Sequence, residues 1–170
     1  TCPKWIQWSA SRPCIFQQGR PVNKHLGTHT DGLTVITTHV NADFDALASM
    51  LAAQKLYPHA VVVFPGSQEK NLRNFFVKST AYLFNMADVK DIDFKTVKRL
   101  VLVDTRQRQR IGKLASLLAR KDIEIHIYDH HPDSKNDISG DREIVRLTGA
   151  TVTILTEMIS DQAIEINPDE

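Results

Sequence analysis

Two cysteines in 170 residues, Cys2 and Cys14, with no CxxC spacing and no second pair, exclude a disulfide framework and a thiolate metal site. Both are read as incidental. An excess of either charge is also lacking: 21 Lys and Arg stand against 20 Asp and Glu, so any nucleic-acid contact needs a local patch. Long apolar runs are missing. The longest, such as Ala60–Phe64 and Leu100–Val103, fall far below the roughly 20 residues of a membrane span, so no membrane crossing is expected. The start, Thr1-Cys2-Pro3-Lys4-Trp5, has no basic segment followed by an apolar stretch, and a cytoplasmic setting is expected. With only 7 Gly and 7 Pro against 42% hydrophobic residues, the composition is neither fibrous nor disordered. What remains suits one principal domain with a real core.

Residues 1–32 hold Trp5, Trp8, three prolines and the turn-like Thr30-Asp31-Gly32 without helical or strand periodicity, and read as an irregular tail. His25 and His29 lie four apart, but Gly27 between them and the lack of an acidic neighbour argue against a metal site there. From Leu33 short apolar runs alternate with amphipathic segments, the signature of repeated strand-helix units. Strands are expected at Leu33–Thr38, Ala60–Phe64, Arg99–Val103, Ile123–Tyr128 and Glu143–Arg146, and helices at Asp45–Tyr57, Glu69–Phe84, Arg110–Arg120 and Thr151–Ser160. Continuous β-branched runs indicate strands buried on both faces. The expected fold is α/β, doubly wound, with a mainly parallel five-stranded sheet and helices on both faces.

In such sheets ligands bind beyond the carboxyl ends of the strands. Those ends carry His39 to Asp45, Pro65-Gly66-Ser67, Asp104-Thr105 and Asp129-His130-His131. Each group has a bland reading. Asp45 could cap the helix that follows, Asp104 could cap a helix or pair with Arg106, Arg108 or Arg110, and the two histidines could decorate a loop. Adjacent histidines leaving a strand point in different directions, so one can bind a metal while the other faces substrate, and Asp129 could fix an imidazole tautomer. Jointly, three strand ends supply carboxylates and imidazoles that packing alone does not require. Without cations they would repel one another. Oxygen and imidazole donors without thiolate suit Mn²⁺ or Mg²⁺, and Fe²⁺, Co²⁺ and Zn²⁺ also accept them. Two such ions about 3.5 to 4 Å apart clamp a phosphoryl group and activate the attacking water.

His39-Val40-Asn41-Ala42-Asp43-Phe44-Asp45-Ala46, Val101-Leu102-Val103-Asp104-Thr105 and Tyr128-Asp129-His130-His131-Pro132 resemble, in order and spacing, the three motifs of the DHH phosphoesterase superfamily. Gly149-Ala150-Thr151-Val152-Thr153 resembles the small-residue turn and helix that follow. The resemblance implies that His39, Asp43 and Asp104 hold one ion and Asp45, Asp104 and His130 the other, with Asp104 bridging. It places His131 against the phosphate or leaving group, has Asp129 orient the imidazoles, and makes Arg110, in an Arg-aliphatic-Gly element, a candidate substrate contact. Asp104, His131 and Asp129 are the expected catalytic group. Two Mn²⁺ ions, or Mg²⁺ or Co²⁺, are the implied cofactors. The implied substrate is a phosphorylated small molecule or an RNA or oligonucleotide end.

Departures accompany the match. Ala42 and Phe44 stand where the family commonly has Pro and Gly, and the fourth metal aspartate and the substrate-gripping second domain do not appear before Glu170. The expectation is a DHH-type domain over 33–170, truncated before both, in a longer polypeptide. Val35–Leu56 and Phe64–Arg73 look most like the DHH segment of long bacterial polymerases of the poly(A) polymerase and CCA-adding type. A non-hydrolytic RNA- or nucleotide-binding module of such a protein is the alternative.

Overall fold

The structure, a computed structural model, describes residues 32–72 and 85–166. The expected tail over 1–32, apart from Gly32, and most of the expected helix over 69–84 lie outside those residues, although 70–72 are helical. Five strands, β1 (Leu33–Thr37), β2 (Val61–Val63), β3 (Val97–Val103), β4 (Glu124–Asp129) and β5 (Arg142–Val145), form one sheet in the order β2-β1-β3-β4-β5. Every pairing is parallel, so the sheet is wholly and not just mainly so. Val35, Ile36 and Thr37 of β1 pair with Val61, Val62 and Val63 on one side and with Leu100, Val101 and Leu102 on the other.

Alternation along these strands divides the core in two. Val35, Val61, Val63, Leu100, Leu102 and Ile127 pack on one face with Ile111, Leu114 and Leu117. Ile36, Val62, Val101, Val103 and Tyr128 face the opposite way, against Met50, Ala53, Leu155 and Ile159 of two packed helices, α1 (Phe44–Leu56) and α2 (Thr151–Asp161). Both faces are covered, which is why the strands read as unbroken apolar runs.

Two expectations are corrected. The segment expected as a helix over Arg110–Arg120 is built of 3-10 turns, at Arg108–Arg110 and Gly112–Ala119. Its buried side chains, Ile111, Leu114 and Leu117, recur every three residues, which is the repeat of a 3-10 helix and not of an α-helix. The cap of α1 is Asp43 and not Asp45: its Oδ1 accepts the Ala46 backbone N–H at 3.0 Å.

Gly112 opens the second 3-10 segment at φ +55°, and a Cβ there would sit 2.6 Å from the Pro65 carbonyl oxygen. Gly112→Ala is therefore expected to destabilise by about 1–2 kcal/mol for the left-handed backbone alone, with the clash added. A thermal melt checks this, and an unchanged midpoint would count against the close packing of these two loops.

Candidate metal centre

β1 sends the chain to β2 on one side while β3 lies on its other side, so the sheet's topological switch falls between β1 and β3. His39 leaves the first of these strands and Asp104 the second. The loop after β1 is held by its neighbours' backbones: Val40 N donates to Arg110 O at 2.7 Å and Asn41 N to Ser67 O at 2.7 Å, while Ser67 Oγ donates to Asn41 Oδ1. The strand end Pro65-Gly66-Ser67 thus supports the His39 loop.

Asp104 is the centre of the cluster. It is 2% exposed and adopts φ +59°, a left-handed conformation more common for Asp than for most residues but still uncommon. Its oxygens face two different groups. Oδ2 lies 3.3 Å from His39 Nε2, whereas Oδ1 lies 3.4 Å from His130 Nε2 and 3.8 Å from His131 Nδ1 and accepts the Thr151 hydroxyl at 3.0 Å. His39, Asp43 and Asp104 bring donor atoms within 4.8 Å of one another, and so do Asp104, His130 and His131. The adjacent rings of His130 and His131 lie with centroids 4.4 Å apart, both beside Asp104.

The hydrogen bonds set the imidazole tautomers. His39 Nδ1 is 2.8 Å from the Val40 carbonyl oxygen and His130 Nδ1 is 3.0 Å from that of Thr148. A carbonyl only accepts, so each Nδ1 carries the proton. His131 Nδ1 meets Asp129 Oδ1 at 2.7 Å and donates likewise. In the neutral rings of His39 and His130, the Nε2 lone pair is therefore aimed at a carboxylate oxygen of Asp104. Two acceptors in that position repel unless a cation or a proton lies between them. Burial works against a proton on His39, yet the hydrogen bond with Asp104 and the one with the Val40 carbonyl outweigh it, and its pKa is raised. The donor set fits a divalent ion: neutral imidazole Nε2 atoms and carboxylate oxygens, with each imidazole's second nitrogen held by an acceptor.

Asp45 stands apart from both tight groups. Its Oδ2 accepts the Thr151 N–H at 2.8 Å and its Oδ1 the Val152 N–H at 3.0 Å, so it caps α2 across 106 positions of sequence. Its Oδ2 remains 3.7 Å from His130 Nε2. Asp129 orients His131 through the ring, but takes only the backbone N–H of His130, at 2.9 Å. Arg110 borders a cavity of about 40 Å³ with Thr105, Gln107 and His131. Sequence reasoning missed two residues. Thr151 appeared only as a small residue at the turn that opens the last helix, and Arg106 as one of several arginines near Asp104, whereas it is buried and bonds Asp129 Oδ2 at 3.0 Å.

Comparison with known proteins agrees with this reading of the fold. The chain resembles the A-adding tRNA nucleotidyltransferase of Geobacter sulfurreducens, 49% identical over 138 residues that make up 81% of this chain and 16% of that protein. It is 31% identical over 135 residues to the A-adding tRNA nucleotidyltransferase of Aquifex aeolicus, covering 79% of this chain and 15% of that one. The chain thus spans about a sixth of the length of these relatives. The crystal structure of an exopolyphosphatase-related protein from Bacteroides fragilis superposes with a TM-score of 0.62 at 17% identity, over 78% of this chain and 40% of that one, which speaks to the fold alone. Residues 33–170 match the family described as DHH family, N-terminal domain, and the chain belongs to it.

Proposed function

We propose that this domain is a divalent-metal phosphoesterase, of the Mn²⁺-using kind, that hydrolyses a phosphodiester or phosphoanhydride, with an RNA or oligonucleotide end as a candidate substrate. The observation that carries the proposal is that His39 and His130 hold their Nε2 atoms 3.3 and 3.4 Å from opposite oxygens of one buried carboxylate, Asp104. In this reading His39, Asp43 and Asp104 hold one ion, and Asp104 and His130 contribute to a second, with Asp45 beside them. When bound, the pair neutralises phosphoryl oxygens and lowers the pKa of the attacking water. The protein's own groups do the rest. His131 donates its Nδ1–H to Asp129, which leaves Nε2 of a ring 44% exposed as the free base; Nε2 takes a proton from the attacking water, and the imidazolium so formed, steadied by Asp129, gives that proton to the leaving oxygen. Arg110 supplies a cation at the edge of the adjoining cavity.

The domain would work at 33–170 of a longer polypeptide, in the cytoplasm, in keeping with relatives named for tRNA chemistry. Among the described residues no helix is long and apolar enough to cross a membrane. Those relatives' names also favour a second reading, in which the domain binds RNA or a nucleotide for a nucleotidyltransferase in the same chain without hydrolysis.

Full-length protein incubated with Mn²⁺ and short oligonucleotides or a chromogenic phosphodiester separates the two. Release of mononucleotide or phenolate that stops on adding a chelator is expected. Binding of RNA with affinity indifferent to chelator, and no product from either substrate, would leave the binding module as the better account.

A further inference from the structure

We infer that Arg106 is a positioning residue which holds His131 in place by gripping both its backbone and the carboxylate that orients its ring. The reaction it serves rests on the phosphoesterase reading above, whereas the grip itself does not. Arg106 follows Asp104 by two residues, and its side chain is 6% exposed. Its Nε donates to Asp129 Oδ2 at 3.0 Å and its Nη2 to the His131 carbonyl at 2.7 Å. The opposite oxygen of Asp129 takes His131 Nδ1 at 2.7 Å. One planar guanidinium thus fixes His131 at two points, carbonyl and ring, with Asp129 as the go-between.

The remaining contacts of Arg106 hold the loop beyond. Nη1 donates to Asp133 Oδ1 at 2.9 Å and lies 3.4 Å from Asp137 Oδ2, and the Arg106 carbonyl accepts the Ile138 N–H at 2.7 Å. Loop-holding and His131-holding therefore use different nitrogens. Asp129 is 1% exposed, and a carboxylate so placed must find hydrogen-bond partners within the protein, which Arg106 and His131 supply on its two oxygens. A lysine preserves the charge but lacks the fork that reaches two acceptors at fixed angles. Asp133 is exposed and touches only the loop-holding nitrogen, so its loss weakens that function without touching the two nitrogens that hold His131.

The test compares Arg106→Lys, Arg106→Gln and Asp133→Asn in full-length protein labelled with ¹⁵N-histidine. In wild type the imidazole spectrum should show His131 as a single Nδ1–H tautomer. In both Arg106 variants that signal should become a mixture of tautomers, while His39 and His130, whose carbonyl partners are untouched, keep theirs. Mn²⁺ affinity by calorimetry should stay within about 3-fold, and kcat should fall by about 10- to 100-fold, the usual cost of losing an outer orienting partner, with KM little changed. Asp133→Asn should leave spectrum and kcat as in wild type. An Nε2–H tautomer for His131 in wild type overturns the inference without any variant. An unaltered His131 signal in Arg106→Lys, or an equal loss in Asp133→Asn, overturns it as well. If wild type hydrolyses nothing, the phosphoesterase reading falls, and the tautomer spectra still decide the role of Arg106.

Discussion

Asp104→Asn is expected to abolish divalent-ion binding at both groups at once, with affinity down by more than about 100-fold. Losing a partner that merely orients a ligand costs about 10- to 100-fold, and Asp104 is itself the donor common to both groups. The amide keeps one acceptor oxygen and gains an N–H₂ that can donate to the Nε2 of His39 or His130, so the repulsion that calls for a cation disappears with the charge. The fold should survive, because Asn tolerates the left-handed backbone at this position nearly as well as Asp. Asp43→Asn provides the contrast, since Asp43 belongs to one group only and its loss should reduce the stoichiometry without erasing it. Titration calorimetry with Mn²⁺ reads both. Full stoichiometry retained in Asp104→Asn would show that the ions, if bound, do not share this carboxylate.

Leu102→Ala should cost about 2–5 kcal/mol of stability, the range for truncating a buried leucine. Leu102 is fully buried in β3, the central strand of the sheet, and belongs to the cluster that joins Val35, Val63 and Ile127 to the 3-10 residues Ile111 and Leu114. The strands on either side are hydrogen-bonded to β3 and cannot close in on the vacated space, so most of the cavity should persist. Urea titration of the two proteins gives the difference. A loss below about 1 kcal/mol would mean that the 3-10 segment, the least regular of the elements covering that face, collapses into the gap.

The strands were legible because a strand buried on both faces leaves no polar interruption in the sequence. The expected strands around Val61-Val62-Val63 and Leu100-Val101-Leu102-Val103 end within two residues of the observed ends. The metal-binding candidates were legible for a related reason: a charged residue directly after an apolar strand has few structural justifications. The 3-10 turns were not recognised, although the three-residue spacing of Ile111, Leu114 and Leu117 carries that information to a reader looking for a period of three. The capping of α2 by Asp45 was out of reach, since nothing local connects position 45 with position 151. Arg106 was hidden differently. In the string Arg106-Gln107-Arg108-Gln109-Arg110 the buried arginine looks the same as its solvated neighbours, and only the folded loop after β4 distinguishes it.

The left-handed backbone of Asp104 has an evolutionary consequence. A buried carboxylate in that conformation is handicapped twice, by sterics and by lost hydration, and glycine at the same place would escape both. A library of this domain sorted only for heat resistance should therefore drift toward glycine or asparagine at 104 and lose its candidate metal ligands early. Sorted for ion-dependent activity, it should keep aspartate there against that gradient. The residue found at this strand end in a related chain then serves as a record of whether chemistry or mere persistence has been selected.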